Sequence, residues 1–299
     1  MKTMRSRLLL NRKPLSFHIF SYLLAGMFAL LCMLPFWVTL VGSFTAEKYL
    51  IFGLNLWPKG FSFEAYEVIF RDSMSILRAY GVTTGLMLVG TPLSLLIVAM
   101  AGFVLQNKEF RYRSRLAFFF FFTTLFSGGL IPFYILMTNL GMRNNPLVLI
   151  LPNLVTVFHI IIVRTYFQHN VPESLGEAAK IDGAGTAFVF WKIYVPLAVP
   201  VLATLGLFIA IAFWNQWYYA MLFVTDRRLY PLQYLLYRIF QSAAFARLVA
   251  EKTGQASLPM PTEGFKLAMT VVTLGPIVIA YPFAQKYFVS GLTVGAVKG

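Results

Sequence analysis

Residues 177–196 of this 299-residue chain, EAAKIDGAGTAFVFWKIYVP, set two acids, two lysines and two glycines between long apolar runs. Residue types at that spacing serve recognition rather than bond making. Glu177 and Asp182 offer fixed carboxylates to arginines or backbone donors, and Ala178 and Ala179 let a second backbone come close. A second stretch, FWNQWYYAMLF at 213–223, sets the flat rings of Trp214, Trp217 and Tyr218 beside the amides of Asn215 and Gln216. Covalent chemistry has no such foothold. His18, His159 and His169 are scattered, Cys32 is the lone cysteine, and neither H-E-x-x-H nor G-x-S-x-G occurs. Gly-Lys never occurs either, so there is no phosphate-cradling loop and no hydrolysis of ATP by that route. No metal site and no enzyme activity are expected.

The elements that must hold these residues follow from composition. The chain is 59% hydrophobic and 12% charged, about half the charge of a typical soluble domain. Unbroken apolar runs such as LAFFFFFTTLFSGGLIPFYILM exclude the alternation of barrel strands and predict an all-α polytopic membrane protein. Six transmembrane helices are expected, at about 15–43, 78–104, 116–139, 147–167, 196–224 and 265–289. Residues 1–34 imitate a signal peptide, but their apolar stretch is too long for one, so they read as a retained first span. Prolines recur in the spans, at 35, 92, 132, 152, 200, 276 and 282, and suit a kinked bundle.

The net charge of +14 lies outside the spans and reports orientation rather than nucleic-acid binding. Lys2, Arg5, Arg7, Arg12, Lys13, Lys108, Arg111, Arg113, Arg115, Lys180 and Lys192 gather on one side, which predicts a multi-pass protein of the cytoplasmic (inner) membrane with both termini and the 177–196 patch in the cytoplasm. His159 is the one clearly intramembrane titratable group besides tyrosines, either functional or bonded to a neighbouring helix. With every acid in a loop or at a span end, intrinsic ion coupling is disfavoured, and uphill transport needs energy from another subunit.

Residues 172–196 read as helix, stop, helix. Pro172 suits a first turn, Ser174 to Glu177 has capping-box spacing, Gly183 is a natural stop, and Thr186 is placed to cap a second helix. Leu175, Ala178, Ala179 and Asp182 fall on one face. On the other side of the membrane, Leu232, Leu235, Leu236, Ile239 and Phe240 repeat at helical period, which fits either a helix in the headgroups or a cap over a conduit.

Glu177-Ala178-Ala179, then Gly183, then Ile193-Tyr194-Val195-Pro196 resembles the E-A-A…G…I-x-L-P signature of permease subunits of binding-protein-dependent ABC importers, with Val195 where leucine is commoner. The longer form EAAKIDGAG and the tail QKYFVSGLTVGAVKG are similar to the carbohydrate-uptake branch, specifically its second, six-span permease. The resemblance implies a type I importer fold and a coupling helix over Glu177, Ala178, Ala179, Asp182 and Gly183 seated in an ATPase cleft. It further implies a second, different permease chain, two ATP-binding subunits that bind ATP and Mg, and an extracytoplasmic solute-binding protein that delivers an oligosaccharide. No cofactor is expected in this chain. The organisation expected is 1–75 for tail, first span and outer loop, 76–290 for a five-helix core with its coupling loop at 168–195, and 291–299 for a cytoplasmic tail.

Sugars show apolar faces ringed by hydroxyls, so Trp214, Asn215, Gln216, Trp217 and Tyr218 are candidates to line the solute path; an interfacial aromatic belt is the alternative. Thr123, Thr124 and Ser127 are weaker candidates. Arg227, Arg228 and Arg238 fit either an acidic oligosaccharide or contacts to the delivery protein. Amino acid or phosphate is the alternative solute class, and an ion-coupled carrier the alternative mechanism.

Overall fold

The computed structural model describes residues 15–253 except 51, 52, 54 and 72, together with 263–276 and 278. The amino-terminal basic tail, most of the second half of the sixth expected span and the segment 285–299 lie outside the described residues.

The described chain is helical, its one β-bridge joining Thr45 to Phe61. In order, the helices are α1 (Leu15–Ser43), α2 (Glu47–Leu50), α3 (Glu64–Arg71), α4 (Ser73–Gln106), α5 (Arg113–Leu125), α6 (Leu130–Asn139), α7 (Leu147–Ile150) and α8 (Val157–Asn170). They continue with α9 (Glu173–Ile181), α10 (Thr186–Val189), α11 (Val199–Trp214), α12 (Tyr218–Phe223) and α13 (Leu232–Thr253), and with α14 at 263–276. Two compact units result, one of 1–71 with 256–272, the other of 72–255 with 273–299.

In the first unit α1 is apolar on every side and exposes most of its large side chains, as a helix facing lipid does. The segment after it is knit by Phe44, whose ring stacks on Phe61 at 5.6 Å and on Tyr66 at 5.0 Å. The Glu47 carboxylate accepts hydrogen bonds from the backbone N–H groups of Glu263 (2.9 Å) and Gly264 (3.0 Å) and so caps α14.

In the second unit α4 is the axle, packing along α8 and α11. Its small buried residues Gly90, Ser94 and Gly102 admit neighbours closely. A Cβ at Gly102 would lie 2.8 Å from Val163 Cγ1 and 3.1 Å from the backbone nitrogen of Arg164, and one at Gly90 would lie 2.4 Å from the Phe213 ring.

Among the described residues, Ser16–Ser43, Ser73–Gln106 and Val199–Phe223 are long and apolar enough to cross a membrane, and two bent helix pairs pass the same test when each pair is taken together. The expected helix 116–139 is not continuous: α5 and α6 meet at 114°. Phe126 is extended there and Gly129 takes φ 84°, a left-handed conformation natural to glycine. The fourth span is also broken, by 47°, around Pro152. Side chains satisfy carbonyls at this break: buried Ser94 Oγ donates to the Leu154 oxygen at 2.7 Å, and half-buried Asn153 and buried Gln216 donate to that of Leu149. The periodic helix expected around 232–240 is α13. Its first turns pack on α4 and α12, with Leu232 fully buried and its N–H bonded to Thr83 Oγ1 of α4 at 2.8 Å.

Candidate coupling helix and solute path

Helix α9 is set by its two ends. Pro172 is extended (φ −60°, ψ 128°) and occupies the cap, so the helix starts at Glu173, whose carboxylate sits in the first turn where the helix dipole favours it. Ser174 is therefore inside the helix and the capping box does not form, since proline fixes the start two residues early. At the other end Gly183 adopts φ 82°. Its N–H bonds to the Lys180 carbonyl at 3.0 Å and that of Ala184 to Ala179 at 2.8 Å, the paired bonds of a Schellman stop. Gly185, not Thr186, precedes α10, and no side chain caps it. That helix continues through a π turn, Phe190–Tyr194, into Val195–Leu197, which admits Pro196 without an N–H.

The inward face of α9 is made by Gly176, buried, and Ala179, partly buried. Gly176 rests on Tyr194 and Val189, each 3.8 Å from where a Cβ would be. Tyr194 in turn meets Phe103 of α4 edge-on at 4.8 Å and Phe167 of α8 at 5.1 Å. Tyr194 thus joins α9 to two long helices; it fills the variable position of the signature, where spacing carries no signal. Outward lie Leu175, Ala178 and Asp182, together with Ile181, which is 86% exposed, while the exposed Glu177 edges the cavity shared with Lys108, Glu109 and Lys180. The expected shared face is thus split: Ala179 turns inward, and Ile181 joins the outward apolar strip. Among the described residues neither Glu177 nor Asp182 has an ion-pair partner. Two other charges of α9 are engaged: Glu173 with Lys108 at 2.6 Å, and Lys180 with Glu109.

The aromatic–amide stretch is not one helical face. α11 ends at Trp214 and α12 begins at Tyr218. Trp214 is 6% exposed and packs near Tyr80, with its centroid 6.1 Å away. Gln216 is buried and committed to the Leu149 carbonyl. Asn215 Oδ1 accepts from Gln233 of α13 at 3.4 Å, and Trp217 packs against Tyr237 at 5.0 Å. Tyr218 is brought to a concavity of about 510 Å³ beside Tyr219, walled opposite by Ser127, Gly128 and Gly129 of the broken third span. The Thr123 and Thr124 hydroxyls turn back onto their own helix. His159 Nδ1 is buried with no hydrogen-bond partner among the described residues.

Asn144, at φ 55°, ties the loop after α6 to the loop after α12. Its Oδ1 accepts from the N–H groups of Thr225 (2.7 Å) and Asp226 (3.1 Å), and its own N–H donates to the Phe223 carbonyl at 2.9 Å. The knot gathers exposed Arg143, Arg227 and Arg228 at one end of the unit. Sequence reading missed Arg143, whose approach depends on a contact 81 residues along the chain.

No protein-family model matches the chain. It is 36% identical over 282 residues to the "Polygalacturonan/rhamnogalacturonan transport system permease protein YtcP" of Bacillus subtilis (strain 168), across 94% of this chain and 97% of that protein. To "Protein LplC" of the same strain it is 36% identical over 286 residues, 95% of each chain. The crystal structure of a bacterial ABC transporter involved in the import of the acidic polysaccharide alginate matches with TM-score 0.78 and 30% identity, over 91% of this chain and 96% of that one. The chain belongs to the permease subunits of ABC importers, in the carbohydrate-uptake branch. It is accordingly a multi-pass inner-membrane protein whose relatives are permease subunits of ABC transport systems.

Proposed function

We propose that this subunit forms half of a pore for an acidic oligosaccharide, and that α9 receives the stroke of an ATPase subunit. The observation that carries the coupling role is the outward face of α9: Leu175, Ala178 and Ile181 form an unpartnered apolar strip beside free Glu177 and Asp182, ended by a rigid stop at Gly183. Such a short helix seats in a groove of a soluble partner, and the two carboxylates fit that partner's arginines or backbone donors. ATP and Mg are bound by the ATPase pair; this chain contributes the lever and the conduit. The other half of the pore is a different permease chain, and α9 with both termini lies on the cytoplasmic side, as the basic loops favour.

An acidic solute is supported by the names of the relatives, a polygalacturonan/rhamnogalacturonan system and an alginate importer, and by the Arg143, Arg227 and Arg228 rim, since guanidinium matches carboxylate. Trp217 and Tyr218 supply ring faces along the path; the amide of Gln216 serves the broken fourth span instead.

With Cys32→Ser removing the lone native thiol, Ala178→Cys is expected to cross-link to the ATPase subunit in the assembled complex. Vesicles holding that complex and its binding protein are expected to import oligogalacturonate in preference to neutral maltotriose. Absence of the cross-link refutes the coupling role, and preference for maltotriose refutes the acidic solute.

A further inference from the structure

We propose that Lys108 and Glu109, in the turn between α4 and α5, are positioning residues for the coupling stroke: with Glu173 and Lys180 they form a crossed double ion pair that sets the register of α9 on the end of α4. The inference rests on the reading of α9 as the coupling helix.

Lys108 Nζ lies 2.6 Å from Glu173 Oε1, and Lys180 Nζ reaches Glu109 Oε2. Neighbours of opposite sign on the turn thus grip residues of opposite sign on α9. Positions 173 and 180 are about two helical turns apart and share a face, so the two pairs fix a direction as well as a point. One pair alone leaves α9 free to swivel. Sliding α9 by one turn, about 5.4 Å, offers Lys108 a new partner in Glu177 but leaves Glu109 without Lys180, so only one register satisfies both. The turn is itself fixed: Asn107 Oδ1 accepts from the Glu109 N–H at 3.0 Å, and the Arg113 N–H donates to the Phe110 carbonyl at 3.1 Å.

Beneath the clasp, packing is limited to the Gly176 contact with Tyr194 and Val189. A cavity of about 130 Å³ separates α9 from the end of α4, and Gln106, Gly176 and Thr186 help line it. Gly176 and Tyr194 meet at the wall of this cavity and hold the helix at that point, while the charged pairs hold it across the gap. All four charged side chains are exposed, so the clasp is weak enough to respond to salt. Its contribution is to orientation.

The test uses the assembled complex in the Cys32→Ser background, with spin labels at Met100→Cys on α4 and Ala178→Cys on α9. The native clasp is expected to give one narrow distance distribution, with and without ATP. Lys108→Glu is expected to broaden it and to cut the complex's ATP-hydrolysis rate about fivefold, the order expected when an exposed pair becomes a like-charge contact. Lys108→Glu with Glu173→Lys should restore both, and Lys108→Arg alone should leave both as in the native complex. A reversal that leaves the distribution narrow, or a swap as broad as the single variant, overturns the clasp. Failure of the coupling reading is separate: it appears as loss of the Ala178→Cys cross-link to the ATPase while the distances behave as described.

Discussion

Gly183 allows the coupling role to be tested through backbone strain alone. Its φ of 82° is left-handed, and nothing lies within 4 Å of where a Cβ would be, so a side chain there meets no clash. Two hydrogen bonds, at 3.0 and 2.8 Å, hold the stop; at about 1 kcal/mol each they favour it by about 2 kcal/mol. Alanine in a left-handed conformation costs about 1 kcal/mol. That leaves about 1 kcal/mol and a stop still formed about 85% of the time. A β-branched valine costs about 2 kcal/mol and cancels the preference, so about half the molecules hold the stop. Asparagine tolerates the conformation and should behave nearly as glycine. Proline removes the N–H bonded to Lys180 and fixes φ near −65°, so the stop is lost. ATP-dependent uptake in vesicles, normalised to complex recovered with the ATPase subunits, is therefore expected to fall in the order Gly, Asn, Ala, Val, Pro, with Val near half. Uptake unchanged in both Val and Pro would show that the stop carries no force. Ala as damaging as Pro would show that something other than backbone strain is at stake.

Three further outcomes concern the axle helix. Gly102→Ala should lower the thermal stability of the detergent-solubilised complex by about 1–3 kcal/mol, because the new methyl meets the backbone of Arg164, which cannot rotate away; Gly85→Ala, with open space around it, should raise stability by about 0.5–1 kcal/mol. Ser94→Ala should cost about 1–3 kcal/mol in the same measurement, since it strands the buried Leu154 carbonyl.

What the sequence made legible was local. Pro172 and Gly183 bracket α9 because proline fixes φ and glycine alone enters the left-handed region cheaply, and both act on their own residues. The false capping box arose from a competition within that stretch: Ser174 has the spacing, but Pro172 starts the helix first. The third span looked continuous because hydropathy averages across FSGG, although the paired glycines carried the break signal. Trp214, Trp217 and Tyr218 would share a side on an unbroken helix, but the chain breaks between α11 and α12. The clasp left no trace in the sequence pattern, since Glu109 and Lys180 are 71 residues apart and a lysine beside a glutamate in a basic loop looks like ordinary solvated charge.

On the proposed coupling, a displacement of α9 has two routes into the bundle, and their stiffness differs. Through Gly176 it presses on Tyr194, which is buried and wedged edge-on between Phe103 and Phe167. Such ring pairs contribute about 0.5–1.5 kcal/mol each beyond the area they bury, and close packing leaves them no slack. Through Lys108 and Glu109 it pulls on exposed side chains whose pairs contribute about 0.2–1 kcal/mol each and stretch across a cavity. The aromatic route therefore carries load while the charged one steers. Both end on α4, where Gly102 seats α8 and Gly90 receives Phe213 of α11. Because α4 is one continuous helix of 34 residues, with Pro92 inside it, about 50 Å long at 1.5 Å per residue, a push at Phe103 reaches the Phe213 contact more than three turns away through helix rather than through loops, past the one missing backbone hydrogen bond at Pro92. Excess volume at Gly102 should therefore disturb the far end of α11 as well as the crossing itself.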